Sequence, residues 1–212
     1  IVKRERSLGM VTVLPGFAGH VPLALGKRHP DAKMLRSGSW CGFTERYSMD
    51  GLLDPGDPLF RAIGSAFLEV QKEEFGSDGI FNGDTFNEVS GGGNITMWGS
   101  AVYDAMAAVE PGAVWFVQAW SLNHWDASKL DAYFADVPTD RLLGLDLGCA
   151  TSDSSFLKFT TALSPARPVI CGLLDDMGGR RSLSGNLHVL ANQTIANVQS
   201  VGPALLTDRK SV

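Results

Sequence analysis

The sequence predicts an α/β fold in which a parallel sheet is buried between helices. Short apolar runs, bounded by glycine, proline or polar residues, alternate along the chain with segments of helical periodicity, as in successive βα units. The centres of these runs are continuously apolar, which is typical of strands that are covered on both faces. No linker, low-complexity tract or repeat interrupts the 212 residues, so we expect one domain.

Five of the short runs are predicted to be strands because they are rich in β-branched or aromatic residues. They are residues 10–15, 79–82, 113–120, 141–148 and 167–174.

The clearest predicted helix spans residues 57–76. Asp57 is its expected N-cap, Pro58 occupies the first turn and Gly76 ends it. Its predicted inner face consists of Phe60, Ile63, Phe67 and Phe75.

Two further helices are predicted at 97–112 and 126–138, and a weaker one within 186–199. In the helix predicted at 97–112, helical spacing places Val102, Ala105, Met106 and Val109 on one face. In the helix predicted at 126–138, Asp126 is the expected cap, and Leu130, Phe134 and Val137 are predicted to point inward.

The first ten residues also resemble the interior of a helix and begin without Met, so we interpret the chain as a fragment.

Polar and aromatic residues collect where the predicted strands end. They are Asp84, Asn87, Glu88, Gln118, Trp120, Asp146, Asp175 and Asp176. In a β/α barrel the active site forms at this carboxyl face. A doubly wound sheet would also bind ligands there but is usually accompanied by a glycine-rich first turn, and SGGGN at 90–94 lacks that spacing. We therefore predict an incomplete (β/α)8 TIM-type barrel with about five βα units over 1–200, followed by a divergent or truncated tail at 201–212.

The composition excludes several classes of partner. A net charge of -5 and the absence of a basic run argue against nucleic acid and anionic membranes. No apolar stretch is long enough for a spanning helix. The four histidines are scattered without metal-site spacing and the three cysteines form no CxxC pair, so we expect neither a metal nor a cofactor.

The adjacent Asn87 and Glu88 suggest carbohydrate chemistry. At a strand end, the amide can bind a sugar hydroxyl or acyl group while the carboxyl protonates a glycosidic oxygen, provided that an aromatic pocket raises its pKa. The candidate walls of such a pocket are Trp40, Phe86, Trp115 and Trp120. The alternative is that the pair is only the polar start of a loop or helix, and that Trp115 and Trp120 are core residues.

Several motifs resemble those of the alpha-N-acetylglucosaminidases of glycoside hydrolase family 89. They are SLGMVTVLPGFAGHVP (7–22), GSW (38–40), LLDPGDPLFRAIGSAFL (52–68), DTFNE (84–88), AVWFVQAW (113–120) and RLLGLDL (141–147). The similarity runs in order from residue 1 to about 200, and VLPGFAGHVP and DTFNE are its most specific parts.

The resemblance implies a catalytic β/α barrel that removes terminal alpha-linked N-acetylglucosamine from glycans such as heparan sulfate. It also implies that the anomeric configuration is retained and that the protein is lysosomal or secreted. Glu88 corresponds to the family's acid/base glutamate and Asn87 to its sugar-binding asparagine. Trp40 and Trp120 correspond to pocket tryptophans, and we expect Gln118 beside Trp120 to contact substrate. The sequons at Asn94 and Asn192 would matter in such a compartment.

Two departures from the family are expected to affect function. LLDDMGG at 173–179 replaces the usual LHNFGG, so that Asp176 and Met177 stand where the family has an amide and an aromatic residue. The family's second catalytic glutamate lies in a PEG element, and the nearest match in position is Asp208. The alternative function is therefore an inactive, truncated relative that at most binds a glycan, and we expect little hydrolysis from the 212 residues alone.

Overall fold

The computed structural model describes residues 1–40, 42–48, 51–86, 93–122, 124–146 and 169–171. The chain divides into two compact units, of which the first comprises 1–116 with 132–141 and the second 117–131 with 142–212. The helices are α1 (Val2–Ser7), α2 (Leu25–Arg28), α3 (Glu45–Ser48), α4 (Pro58–Phe75), α5 (Ile95–Val109) and α6 (Ala127–Tyr133). Single 3-10 turns span Ala119–Ser121 and Thr139–Arg141.

Parallel strand pairing confirms the predicted α/β class. The strands are β1 (Val13–Pro15), β2 (His20–Val21), β3 (Met34–Arg36), β4 (Gly51–Leu53), β5 (Ile80–Asn82), β6 (Val114–Gln118), β7 (Leu142–Asp146) and β8 (Val169–Cys171). In the first unit β5 pairs in parallel with β1 on one side and with β6 on the other. In the second unit β7 pairs in parallel with β8. All five predicted strands are thus found, each within its predicted run.

A small antiparallel sheet between β1 and α4 was not predicted from the sequence. Its strand order is β2-β4-β3, and each strand has only two or three residues. Strands of this length are too short to show an alternating pattern. Leu52 and Leu53 of β4 are nevertheless buried, so this sheet contributes to the core of the first unit.

Helix α4 begins and ends where the sequence predicts, and Asp57 caps it. Asp57 Oδ1 accepts a hydrogen bond from the Leu59 amide, and Asp57 Oδ2 accepts one from the Lys33 amide. These backbone hydrogen bonds lower the pKa of the Asp57 carboxyl, the one from Lys33 most.

The prediction that Phe67 and Phe75 face inward is wrong, since they are 40% and 51% exposed. The buried residues of α4 are Phe60, Gly64 and Leu68, spaced four apart. A Cβ added to Gly64 would lie 2.8 Å from the Ala105 Cβ of α5, so the missing side chain allows the two helices to approach. This close contact sets the rotation of α4.

The residues predicted to face inward from the second and third helices are buried with one exception, although α6 ends at Tyr133, before Phe134 and Val137. Val102, Ala105, Met106, Leu130, Phe134 and Val137 are buried, whereas Val109 is half-buried. Helix α5 begins two residues earlier than predicted because the Asn94 side chain caps it. The Asp126 carboxylate accepts a hydrogen bond from the Lys129 amide, as expected of a cap. The predicted helix within 186–199, the tail at 201–212 and the residues Cys41 and Cys149 lie outside the described residues.

Candidate active site

The loops that follow β1 and β5 meet at one edge of the parallel sheet. The Gly16 amide, directly after β1, donates a 2.5 Å hydrogen bond to the Asn82 carbonyl oxygen at the end of β5. A Cβ at Gly16 would lie 3.1 Å from the Asn82 carbonyl oxygen and would overlap the methyl group of Met106, so glycine favours this approach. VLPGFAGHVP and the described part of DTFNE, residues 84–86, therefore leave the sheet side by side at its carboxyl edge.

A cavity of about 510 Å³ opens between these loops. Its walls are largely apolar and include Phe17, Ile63 and Phe67, while its polar lining comes from His20, Asn82 and Asp84. Apolar walls with a few polar groups are typical of small-molecule sites, and the volume is within the range of such sites. The Asn82 Oδ1 atom is buried and accepts no hydrogen bond from any residue in the described part of the chain.

The backbone of the DTF segment is held by two neighbouring elements. His20 Nε2 lies 3.0 Å from the Thr85 carbonyl oxygen, and the Trp115 indole Nε1 donates a 2.9 Å hydrogen bond to the Gly83 carbonyl oxygen. Thr85 is fully buried. The carbonyl groups on either side of Asp84 are therefore fixed by side chains from β2 and β6.

An aromatic cluster holds Phe86 beneath this loop. The Phe86 ring packs against Trp98 at 5.6 Å and against Tyr133 at 5.7 Å between ring centroids. Tyr133 also contacts Trp115 edge to face at 5.4 Å. Burial, and to a lesser extent the charge of Asp84, raise the pKa of the Tyr133 phenol well above its ordinary value, so Tyr133 stays protonated at neutral pH.

This cluster decides between the two interpretations of the aromatic residues near the rim. Phe86 and Trp115 are buried, and they support the loop from the core. The core interpretation of Trp115 agrees with its complete burial, and neither Phe86 nor Trp115 lines the cavity described above.

Trp40 lies at the surface, 43% exposed, on the segment between β3 and α3. Its ring stacks on Phe43 with centroids 5.9 Å apart and an interplanar angle of 12°. Its amide donates to Ser48 Oγ at 3.1 Å, which fixes the backbone of this segment. An exposed, pre-ordered indole face of this kind is suited to stacking on a sugar ring.

Gln118 and Trp120 belong to the second unit. Gln118 is the last residue of β6, half-buried, and its carbonyl oxygen accepts a hydrogen bond from Ser121 Oγ. The Trp120 backbone lies in the 3-10 turn after β6, which agrees with the predicted location at a strand end. Their roles toward a substrate stay predictions.

The predicted acid/base Glu88 and its neighbour Asn87 lie outside the described residues, which stop at Phe86 and resume at Gly93. Asp175, Asp176, Met177, Asn192 and Asp208 also lie outside them. Within the described ranges, no group of three His, Cys, Asp or Glu side chains is placed to hold a metal ion. Nor does that part of the chain contain a helix both long and apolar enough to cross a membrane.

Sequence reasoning did not assign a role to His20 or Asn82, although both line the cavity. A signal for His20 was present, because it lies within VLPGFAGHVP, one of the two most specific motifs. Its significance depends on β2 approaching the end of β5, and no short-range pattern encodes that contact.

Comparison with known proteins agrees with this architecture. A family model described as the alpha-N-acetylglucosaminidase TIM-barrel domain matches residues 1–206. Human alpha-N-acetylglucosaminidase is 39% identical over 198 residues, which cover 90% of this chain and 26% of the human protein. The chain thus spans about a quarter of the length of that relative.

Solved structures of a family 89 glycoside hydrolase from Clostridium perfringens are also similar. The complex with PUGNAc has a TM-score of 0.64 and 25% identity and covers 79% of this chain and 19% of the enzyme. The complex with 2-acetamido-1,2-dideoxynojirmycin has a TM-score of 0.62 and 26% identity, with 76% and 18% coverage. A variant with two Glu→Gln substitutions, in complex with its substrate GlcNAc-alpha-1,4-galactose, has a TM-score of 0.63 and 26% identity, also with 76% and 18% coverage.

Proposed function

The chain belongs to the alpha-N-acetylglucosaminidase family, and from this membership we propose that it forms part of a glycosidase that removes terminal alpha-linked N-acetylglucosamine from glycans. The observation that carries the proposal is the position of DTFNE, which starts two residues after β5 at the carboxyl edge of a parallel sheet. Barrel enzymes act at this edge. The similar Clostridium enzyme binds GlcNAc-alpha-1,4-galactose as its substrate, which supports the proposed sugar.

In the proposed reaction Glu88 is the general acid and base. Its carboxyl proton passes to the glycosidic oxygen as a second carboxylate attacks the anomeric carbon and the bond to the leaving group breaks. Glu88 then removes a proton from water, which attacks the glycosyl-enzyme intermediate and releases the sugar with its configuration retained. This mechanism needs the two carboxyl groups about 5–5.5 Å apart. The family's second carboxylate is a glutamate in a PEG element, and Asp208 is only the nearest match to it in position within this chain.

The remaining proposed contacts bind the sugar. The Asn87 amide is suited to hydrogen-bond the acetamido group or a hydroxyl, and Trp40, Trp120 and Gln118 are assigned to the pocket around the ring. The apolar cavity beside β1 and β5 supports a sugar site at this edge of the sheet, because it is lined by Asp84 of the segment that precedes Glu88. We assign no role in this chemistry to a metal or cofactor.

The natural substrate class and compartment follow from the same resemblance. We propose glycans such as heparan sulfate, which carry alpha-linked N-acetylglucosamine, and a lysosomal or secreted location. Asn94 supports the location, because it is exposed and begins an NIT sequon.

A second candidate function is glycan binding without hydrolysis. The observation that favours it is the exposed Trp40 ring, stacked on Phe43 and able to bind a sugar whether or not a second carboxylate is present. Loss of a catalytic carboxylate would leave this surface intact.

The decisive experiment measures hydrolysis of an aryl alpha-N-acetylglucosaminide by the full-length protein that contains this chain, with the aryl beta-anomer as control. We expect cleavage of the alpha-anomer alone, and proton NMR should show the alpha-sugar as the first product. Inverted product would refute the retaining mechanism. Binding of N-acetylglucosamine without cleavage would instead support the second function.

A further inference from the structure

We propose that His20 is a positioning residue for the loop that carries Glu88, an inference that rests on the proposed function. The contact between His20 Nε2 and the Thr85 carbonyl oxygen joins β2 to the DTFNE segment across 65 positions of sequence. Thr85 lies three residues before Glu88, so their Cα atoms are at most about 10–11 Å apart. The orientation of the Thr85 peptide therefore limits where the Glu88 backbone can go.

The chemistry of this contact defines which nitrogen of the His20 imidazole carries a proton. A carbonyl oxygen can only accept a hydrogen bond, so Nε2 carries the proton and donates it. Thr85 is fully buried, which denies its carbonyl group the water that would replace a lost donor. The Nε2 proton of His20 is therefore the feature of the side chain that the loop requires.

The backbone of His20 is itself rigidly held. His20 pairs with Leu52 of β4, and the Leu53 amide donates a 2.9 Å hydrogen bond to the Gly19 carbonyl oxygen. Gly19 adopts a φ of +96°, and a Cβ there would lie 2.8 Å from the Phe60 ring, so the chain before His20 has little freedom. A donor fixed in this way can hold the Thr85 peptide in one orientation.

The aromatic cluster provides a second, independent anchor one residue further on. Phe86 is held by Trp98 and Tyr133, so the loop is fixed at the Thr85 backbone and at the Phe86 side chain before Asn87 begins. Two anchors on adjacent residues therefore fix Thr85 and Phe86, the residues from which the chain continues to Glu88. A displacement of about 1 Å at a catalytic group can cost about 100-fold in rate, which makes such positioning consequential.

The test compares His20→Gln, whose amide can donate, with His20→Met, which is similar in size but has no N–H donor, in the full-length protein. We expect His20→Met to lower kcat about 10- to 100-fold on a disaccharide, whose leaving group needs protonation, and to lower it much less on an activated aryl glycoside, with KM little changed. His20→Gln should recover most of the loss. The exposed His29→Met is the matched control and should behave as the unmodified protein.

The ratio of kcat on the disaccharide to kcat on the aryl glycoside separates positioning from a general loss of folded protein. Such a loss would lower both values by the same factor. If His20→Met does not fold, His20→Asn, whose donor is too short to reach Thr85, gives the same test. An unchanged ratio in these variants, while Glu88→Gln alters it, would overturn the role of His20. An unchanged ratio in Glu88→Gln as well would overturn the proposed function.

Discussion

The indole of Trp115 on β6 holds the first residue after β5, because its Nε1 donates a 2.9 Å hydrogen bond to the Gly83 carbonyl oxygen. Trp115 is fully buried and packs against Tyr133 and Phe134. The same side chain thus fills the core and fixes the start of the loop at the carboxyl edge.

Trp115→Phe should therefore lower the free energy of unfolding by about 2–4 kcal/mol, because it removes the donor and leaves a cavity. Chemical denaturation monitored by circular dichroism measures this. Trp40→Phe is the matched control, and we expect a change of less than about 0.5 kcal/mol because Trp40 is at the surface. Similar losses for the two variants would contradict the buried role of Trp115.

A carboxylate at the opposite end of β5 predicts a pH dependence of stability. Asp78 accepts hydrogen bonds from the Thr12 hydroxyl and the Thr12 amide and pairs with Arg6 at 3.0 Å. The Thr12 hydrogen bonds, followed by Arg6, lower the pKa of Asp78 from 3.8 to about 2. The contribution of Asp78 to stability is thus fully present above about pH 4 and is lost as the pH falls toward 2.

Asp78→Asn should lower the free energy of unfolding by about 1–2 kcal/mol at pH 7, somewhat less than the full linkage value because water reaches the pair. The difference from the unmodified protein should disappear near pH 2. Urea denaturation between pH 2 and 7 measures it, with the exposed Asp131→Asn as control. A difference that is the same at all pH values would show that the ionised carboxylate is not responsible.

Two helical glycines should respond in opposite ways to alanine. A Cβ at Gly99 of α5 would overlap the Tyr133 carbonyl oxygen, whereas one at Gly26 of α2 meets only Met34 Sδ at 3.5 Å. We expect Gly99→Ala to cost at least about 3 kcal/mol and Gly26→Ala to be neutral or to stabilise by up to about 1 kcal/mol. Thermal unfolding of both variants measures this, and a stable Gly99→Ala protein would refute the close approach of α5 to Tyr133.

Asn94 combines a helix cap with a sequon. Its Oδ1 accepts hydrogen bonds from the Thr96 and Met97 amides. Asn94→Ala should cost about 1 kcal/mol of stability, while Asn94→Asp retains the cap and should cost little. Expressed through a eukaryotic secretory pathway, both variants and Thr96→Ala should lose the mass of one glycan. An equal stability of the Ala and Asp variants would argue against the cap.

Much of the fold could be predicted because the signals for its main elements are local. Asp57, Pro58 and Gly76 mark the ends of α4, and each parallel strand lies within a short, mainly apolar run. The inner face of α4 could not be predicted in the same way. It depends on Gly64 meeting Ala105 of another helix, and this contact exposes Phe67.

In the candidate site, too, the features with a local sequence signal could be predicted and those that depend on long-range contacts could not. DTFNE could be placed at a strand end from the apolar run before it, and β5 ends at Asn82, two residues earlier. His20 could not be connected to that strand end, because the contact with Thr85 depends on a three-stranded sheet whose strands are too short for a recognisable pattern. Long-range contacts of this kind appear only when the chain is folded.

The most direct test of the account is the leaving-group dependence of Glu88→Gln in the full-length protein. The account predicts that kcat/KM for an alpha-N-acetylglucosaminyl disaccharide falls by about 100- to 10,000-fold, whereas cleavage of an activated aryl glycoside, which needs little protonation, falls far less. Glu74→Gln, the same change at an exposed position on α4, should have no effect on either substrate. Undiminished turnover of the disaccharide by a folded Glu88→Gln protein would contradict the assignment of Glu88 as the acid/base.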